Sequence, residues 1–63
     1  MVDGFNIGDR VRWIEPNGKV SKGYSIITKF FEVAIGDGKT VYYASTQSAG
    51  WLLVDRLVKI NEE

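Results

Sequence analysis

The side chains of this sequence that could do chemistry are carboxylates, cations, hydroxyls and aromatic rings, because it contains neither His nor Cys. That removes disulfides, Cys/His zinc sites and the Cys-His or Ser-His-Asp nucleophile systems. The remaining candidate acids and bases, Asp9, Glu15, Glu32, Asp37 and Asp55, are scattered beside turns and strand ends. Solvation and capping are the ordinary roles of carboxylates so placed. Ser45, Thr46 and Ser48 fall in a turn, where hydroxyls bond local backbone. Asp37 lies in Gly36-Asp37-Gly38, and one carboxylate does not make an oxygen cage for Ca²⁺. The chain is therefore read as non-enzymatic, with no metal and no cofactor.

Cations and aromatics offer binding chemistry instead. Formal net charge is zero, but it is unevenly spread. From Asp9 to Lys29, five basic residues (Arg10, Arg12, Lys19, Lys22, Lys29) face Asp9 and Glu15, a net of +3. From Phe30 onward, Lys39, Arg56 and Lys59 face Glu32, Asp37, Asp55, Glu62 and Glu63, a net of −2. Arg10 and Arg12 alternate with Val11 and Trp13, so both arginines project from one outer face. A basic face beside exposed rings is how small barrels hold single-stranded nucleic acid. Overall neutrality and a pI near 6.2 weigh against that reading, since dedicated binders are basic. Trp13, Tyr24, Phe31, Tyr42, Tyr43 and Trp51 could alternatively cage a methylated cation.

Apolar residues are in surplus. Ile26/Ile27, Phe30/Phe31, Val41/Tyr42/Tyr43 and Trp51/Leu52/Leu53/Val54 occupy both parities of their strands. A strand buries one parity against its own core, so the other set meets water or a partner. The expected partner is a second copy of the chain or another protein. A bend that swaps parity within the second strand is the competing explanation. The candidate binding residues are Trp13, Tyr24, Phe31, Tyr42, Trp51 and Leu52, with Arg10, Arg12, Lys22 and Lys29 as an accessory basic face.

The elements that must position them are short strands between turn signals. The chain has 63 residues, 44% hydrophobic and 13% aromatic, enough for one domain over 1–63 with loose ends at 1–4 and 61–63. The aromatics are the expected source of core area. Alternation predicts a strand over 9–15, followed by an Asn17-Gly18 turn. A long β-branched and aromatic strand over 22–35 is expected to bulge near Thr28 and Lys29. A turn centred on Asp37-Gly38 leads to strands over 40–45 and 51–54. A 3₁₀ turn over 55–57, capped by Asp55, precedes a last strand over 58–60. The predicted fold is all-β: a five-stranded, strongly bent small barrel with one 3₁₀ turn before the last strand. No apolar run approaches the ~20 residues of a membrane-spanning helix, and a cytoplasmic protein independent of an oxidising compartment is expected.

Gly8-Asp9-Arg10-Val11-Arg12 and the closing segment from Trp51 to Ile60 resemble the SH3-like barrel group, which includes Tudor and KOW-type domains. Gly8-Asp9, Val11, Trp13 and Asn17-Gly18-Lys19 are also similar to small bacterial Tudor-like domains. The ends further resemble the plasmid-borne type II dihydrofolate reductases, through Phe5 with Gly8 to Arg12 and through Leu57, Ile60 and Asn61. That likeness implies an SH3-like barrel, a tendency to self-associate and, as an alternative function, an enzyme assembled around a pore between copies. The reductase pore motif V-Q-I-Y is replaced here by Ala49-Gly50-Trp51-Leu52. The resemblance therefore extends to the fold and not to the reductase activity.

Overall fold

The computed structural model describes residues 2–60. The strands are β1 (Arg10–Trp13), β2 (Ser25–Gly36), β3 (Lys39–Thr46), β4 (Trp51–Leu53) and β5 (Leu57–Lys59), with a 3₁₀ turn at Val54–Arg56. They form one antiparallel sheet in the order β4-β3-β2-β1-β5, so β4 and β5 are its two edges. Among the described residues these edges do not pair with each other, and the sheet is open. No helix among the described residues is long and apolar enough to cross a membrane.

The core is small and mainly aliphatic. Phe5, Val11, Ile27, Ala44, Val54 and Leu57 are buried together, with Val2, Phe30 and Leu52 packed against them. These come from four strands, the 3₁₀ turn and the N-terminal segment, so the sheet folds over its own inner face. The aromatics do not supply the core, contrary to the sequence expectation. Phe5 alone is buried, while Trp51 is 63% exposed and Tyr24 54% exposed. The inward positions of the short strands carry mostly Val, Ile, Ala and Leu, and these fill the core around Phe5.

Two irregularities in β2 decide which side chains face in. The register with β3 slips between Ile27 and Lys29, where Thr28 is the extra residue, as the broken alternation predicted. Ser25 and Ile27 point inward before the bulge, and Phe30 packs on the core after it. The parity swap is therefore real, and it buries one member of each adjacent apolar pair. A second slip between Ala34 and Gly36 makes Ile35 the extra residue, 60% exposed.

Some boundaries differ from the sequence reading. β2 begins at Ser25 rather than at residue 22, because Ser21 pins the preceding loop. Its hydroxyl accepts the Trp13 N–H at 3.2 Å and donates to the Gly23 carbonyl at 2.8 Å. The 3₁₀ turn starts one residue early, and Asp55 lies inside it while Leu53 takes the cap position without a side-chain bond. Asn17 acts through its side chain, accepting the Lys19 N–H at 2.9 Å, and only Gly18 has positive φ. Residues 2–4 form a turn in which Val2 and Phe5 exchange backbone bonds at 2.9 Å. Lys59 Nζ donates to the Gly4 carbonyl across it. The expectation for residues 1 and 61–63 lies outside the described residues.

The β2–β3 loop has φ of 53° at Asp37 and 71° at Gly38, the two positive values of a type I′ turn. A Cβ on Gly38 would meet nothing within 4 Å, so an L-residue there is opposed by backbone conformation alone. Gly38→Ala should cost about 1–2 kcal/mol, lowering the melting temperature by roughly 4–8 °C per kcal/mol. The chemically synthesised chain with D-alanine at position 38 should instead match or exceed the native melting temperature. Equal melting of the two alanine chains would refute the turn assignment.

Candidate functional site

The site is built on the outer face of β2, β3 and β4 by their register. Phe31 of β2 stands opposite Tyr43 of β3, which stands opposite Leu53 of β4. One row along, Lys29 stands opposite Ser45, which stands opposite Trp51. Val33 and Val41 make a further row toward the hairpin tip. Ser45 is the small residue in the middle of the Lys29–Trp51 row. Across Ser45 the Trp51 indole reaches its diagonal neighbour Tyr43 on β3 and, two strands away, Phe31 on β2. The Phe31 and Trp51 rings meet at a centroid distance of 4.7 Å with 31° between planes, and Tyr43 and Trp51 meet at 6.5 Å. Lys29 Nζ lies 5.0 Å from the Phe31 ring centroid.

Beside this cluster is a shallow open depression that Trp13, Pro16, Tyr43, Trp51, Leu53 and Arg56 help to line. Trp13 reaches it from the far end of β1, where Ile14 donates its N–H to the Arg56 carbonyl at 2.8 Å. The Arg56 guanidinium donates back to the Ile14 carbonyl at 3.3 Å, which holds that cation at the rim. The result is a three-ring apolar floor, with Trp51 only partly covered and one cation on each side. Aromatic anchors beside Arg are the composition of protein-binding hot spots. Among the described residues no cluster of three or more carboxylates could hold a metal ion.

The sequence candidates divide. Trp13, Phe31, Trp51 and Lys29 are brought together. Leu52 belongs to the other face, half-buried against the core, although it also touches the floor of the depression. Tyr42 is 42% exposed but stands on the face of β3 opposite to Tyr43. Tyr24 pairs instead with Arg10, whose guanidinium carbon is 5.9 Å from its ring centroid. Arg12 and Lys22 are exposed, and Lys29 stands against Phe31 while Arg10 stands against Tyr24. Tyr43, Leu53 and Arg56 complete the site; Tyr43 was a candidate only as one ring of a cation cage, and Leu53 and Arg56 were not candidates. The first two become visible only once register is known.

The chain matches no protein-family model, no curated protein and no solved structure.

Proposed function

We propose that this chain is a non-catalytic binding module that docks another protein on the outer face of β2, β3 and β4. The observation that carries this reading is the Phe31–Trp51 stack, with the Trp51 indole left 63% exposed beside Tyr43. An exposed Trp prepositioned by neighbouring rings loses little conformational freedom on binding. Lys29 and Arg56 flank it, so the complementary partner presents an apolar or aromatic side chain with carboxylates on either side.

The finer fold assignment is also our own reading. The strand order, the long bulged β2 and the 3₁₀ turn directly before β5 support an SH3-like barrel, and self-association remains part of that proposal. Single-stranded nucleic acid is disfavoured by the neutral charge, and Arg10 stands against Tyr24 and not against the Phe31–Trp51 pair.

A selection of random peptides displayed on phage, against the immobilised chain, tests the reading. Enriched peptides should centre on an apolar residue flanked by Asp or Glu. No enrichment over a blank surface would refute protein docking. Salt-sensitive oligonucleotide binding in place of peptide enrichment would transfer the face to nucleic acid.

A further inference from the structure

Beside the exposed Trp51 indole, β4 presents an open strand edge, with no described strand beyond it. Thr46 donates its N–H to the Gly50 carbonyl at 2.9 Å, and antiparallel alternation makes Ala44 and Leu52 the next hydrogen-bonded pair. The N–H and C=O groups of Trp51 therefore point away from β3. Trp51, Leu52 and Leu53 are consecutive, and all three line the depression. Their side chains alternate between faces, so the strand edge itself runs along the depression. An extended segment laid there meets main-chain groups as well as rings.

The depression is closed at one end. After Leu53 the chain enters the 3₁₀ turn, and Arg56 at the end of that turn lines the depression together with β4. The Ile14 N–H bonds the Arg56 carbonyl at 2.8 Å, which joins the turn to the far wall of Trp13, Ile14 and Pro16. A segment running along β4 from Trp51 toward Leu53 thus meets the turn and its guanidinium. Among the described residues Arg56 is the one charged residue that lines the depression. Its side chain bonds the neutral Ile14 carbonyl at 3.3 Å and meets no carboxylate among those residues. A guanidinium carries several N–H donors in a planar fork that matches a carboxylate. Most of that fork is unused, and the bond to Ile14 keeps it at the end of the depression.

We propose that the partner's chain ends here: its last residue lays an apolar side chain against Trp51 and its terminal α-carboxylate on Arg56. This rests on the docking reading above, and it identifies one of the two carboxylates which that reading requires. A chain terminus satisfies both features within a single residue, because the side chain and the α-carboxylate share one Cα. It also stops where the 3₁₀ turn blocks the way. An internal Asp or Glu reaches Arg56 only from a chain that turns aside at that point. Lys29, on the other side of the rings, is left for a side-chain carboxylate of the same partner.

An array of random peptides attached through their N-termini, each made with a free terminal carboxylate and again with a terminal amide, tests this when probed with the labelled chain. Bound sequences should end in an apolar residue. The free acid should bind at least about tenfold tighter than its amide, the worth of a hydrogen bond to a charged group. Titration calorimetry on the strongest pair then carries the comparison to variants. Arg56→Gln should bring acid and amide to within about twofold of each other. Arg56→Lys should keep part of the difference, because the charge remains while the fork is lost. The acid-to-amide ratio is taken within one variant, so a general loss of stability, which lowers both affinities alike, does not move it. Equal binding of acid and amide by the native chain, or a ratio that survives Arg56→Gln, would overturn the proposal. Internal acidic sequences enriched on phage, with no preference for free termini on the array, would remove the terminus and keep the docking face. Binding in neither format would remove both.

Discussion

Replacing Ile27 by Ala should remove most of the stability of this protein. Ile27 is 1% exposed and is, with Val11, one of the two largest fully buried side chains. It sits just before the Thr28 bulge, at the point where β2 leaves β1 and joins β3. Its N–H donates to Asp9 at 3.0 Å and its carbonyl accepts from Gly8 at 2.8 Å, so the backbone around it is fixed from both sides. A site pinned in this way collapses poorly around a lost side chain, and Ile→Ala changes in cores cost about 2–5 kcal/mol. A core in a chain of this size rarely supplies more than about 3–5 kcal/mol in total. The variant should be largely unfolded at room temperature, or melt at least about 10 °C lower, while Ile27→Val should lose only about 0.5–1.5 kcal/mol. Urea denaturation followed by Trp fluorescence measures both. A cost below 1 kcal/mol for Ile27→Ala would mean that the core lies elsewhere.

The second large effect concerns binding without folding. Trp51→Ala should leave the chain folded at room temperature, at a cost of about 1–3 kcal/mol, because the indole is mostly exposed and its two ring contacts are worth about 0.5–1.5 kcal/mol each. The same change should weaken an enriched peptide by about 2 kcal/mol or more, roughly thirtyfold, as expected for a Trp at the centre of a hot spot. Tyr42→Ala, on the opposite face of β3, is the matched control and should leave peptide affinity within about twofold, or ~0.4 kcal/mol. Isothermal titration with the two variants separates these outcomes. Equal losses in both would show that the loss came from general destabilisation rather than from the face.

Much of the architecture was legible because its signals are local. Asp37-Gly38 announced a hairpin through the one pair of residues that best tolerates two positive φ values. The doublets Ile26-Ile27 and Phe30-Phe31 announced the bulge, because a strand that keeps strict alternation has no use for both. The surplus of apolar residues over inward positions was a matter of parity and needed no coordinates.

What could not be read was where two strands lie relative to each other. Tyr43 joins the site and Tyr42 does not, and nothing in the pair itself says which will face outward. Leu52 and Leu53 divide in the same way, their roles set by the pairing of β4 with β3. The meeting of Trp51 with Phe31, two strands away, follows only from the folded register. The core was misjudged for a related reason. Ring size predicts an aromatic core, yet Val11, Ile27, Ala44, Val54 and Leu57 occupy most of the inward positions and Phe5 is the one buried ring among the described residues. Phe31, Tyr43 and Trp51 lie on the outer side of the sheet.

The central claim is that the Phe31, Tyr43 and Trp51 face is where a protein partner lands. Amide and indole NMR spectra of the ¹⁵N-labelled chain, recorded during titration with an enriched peptide, test this most directly. The largest shifts should fall on Lys29, Phe31, Tyr43, Trp51 and Arg56, including the Trp51 indole N–H, with Arg10, Lys22 and Tyr24 unmoved. Shifts confined to Arg10, Arg12, Lys22 and Tyr24, or a Trp51 indole signal that does not move at saturation, would contradict it.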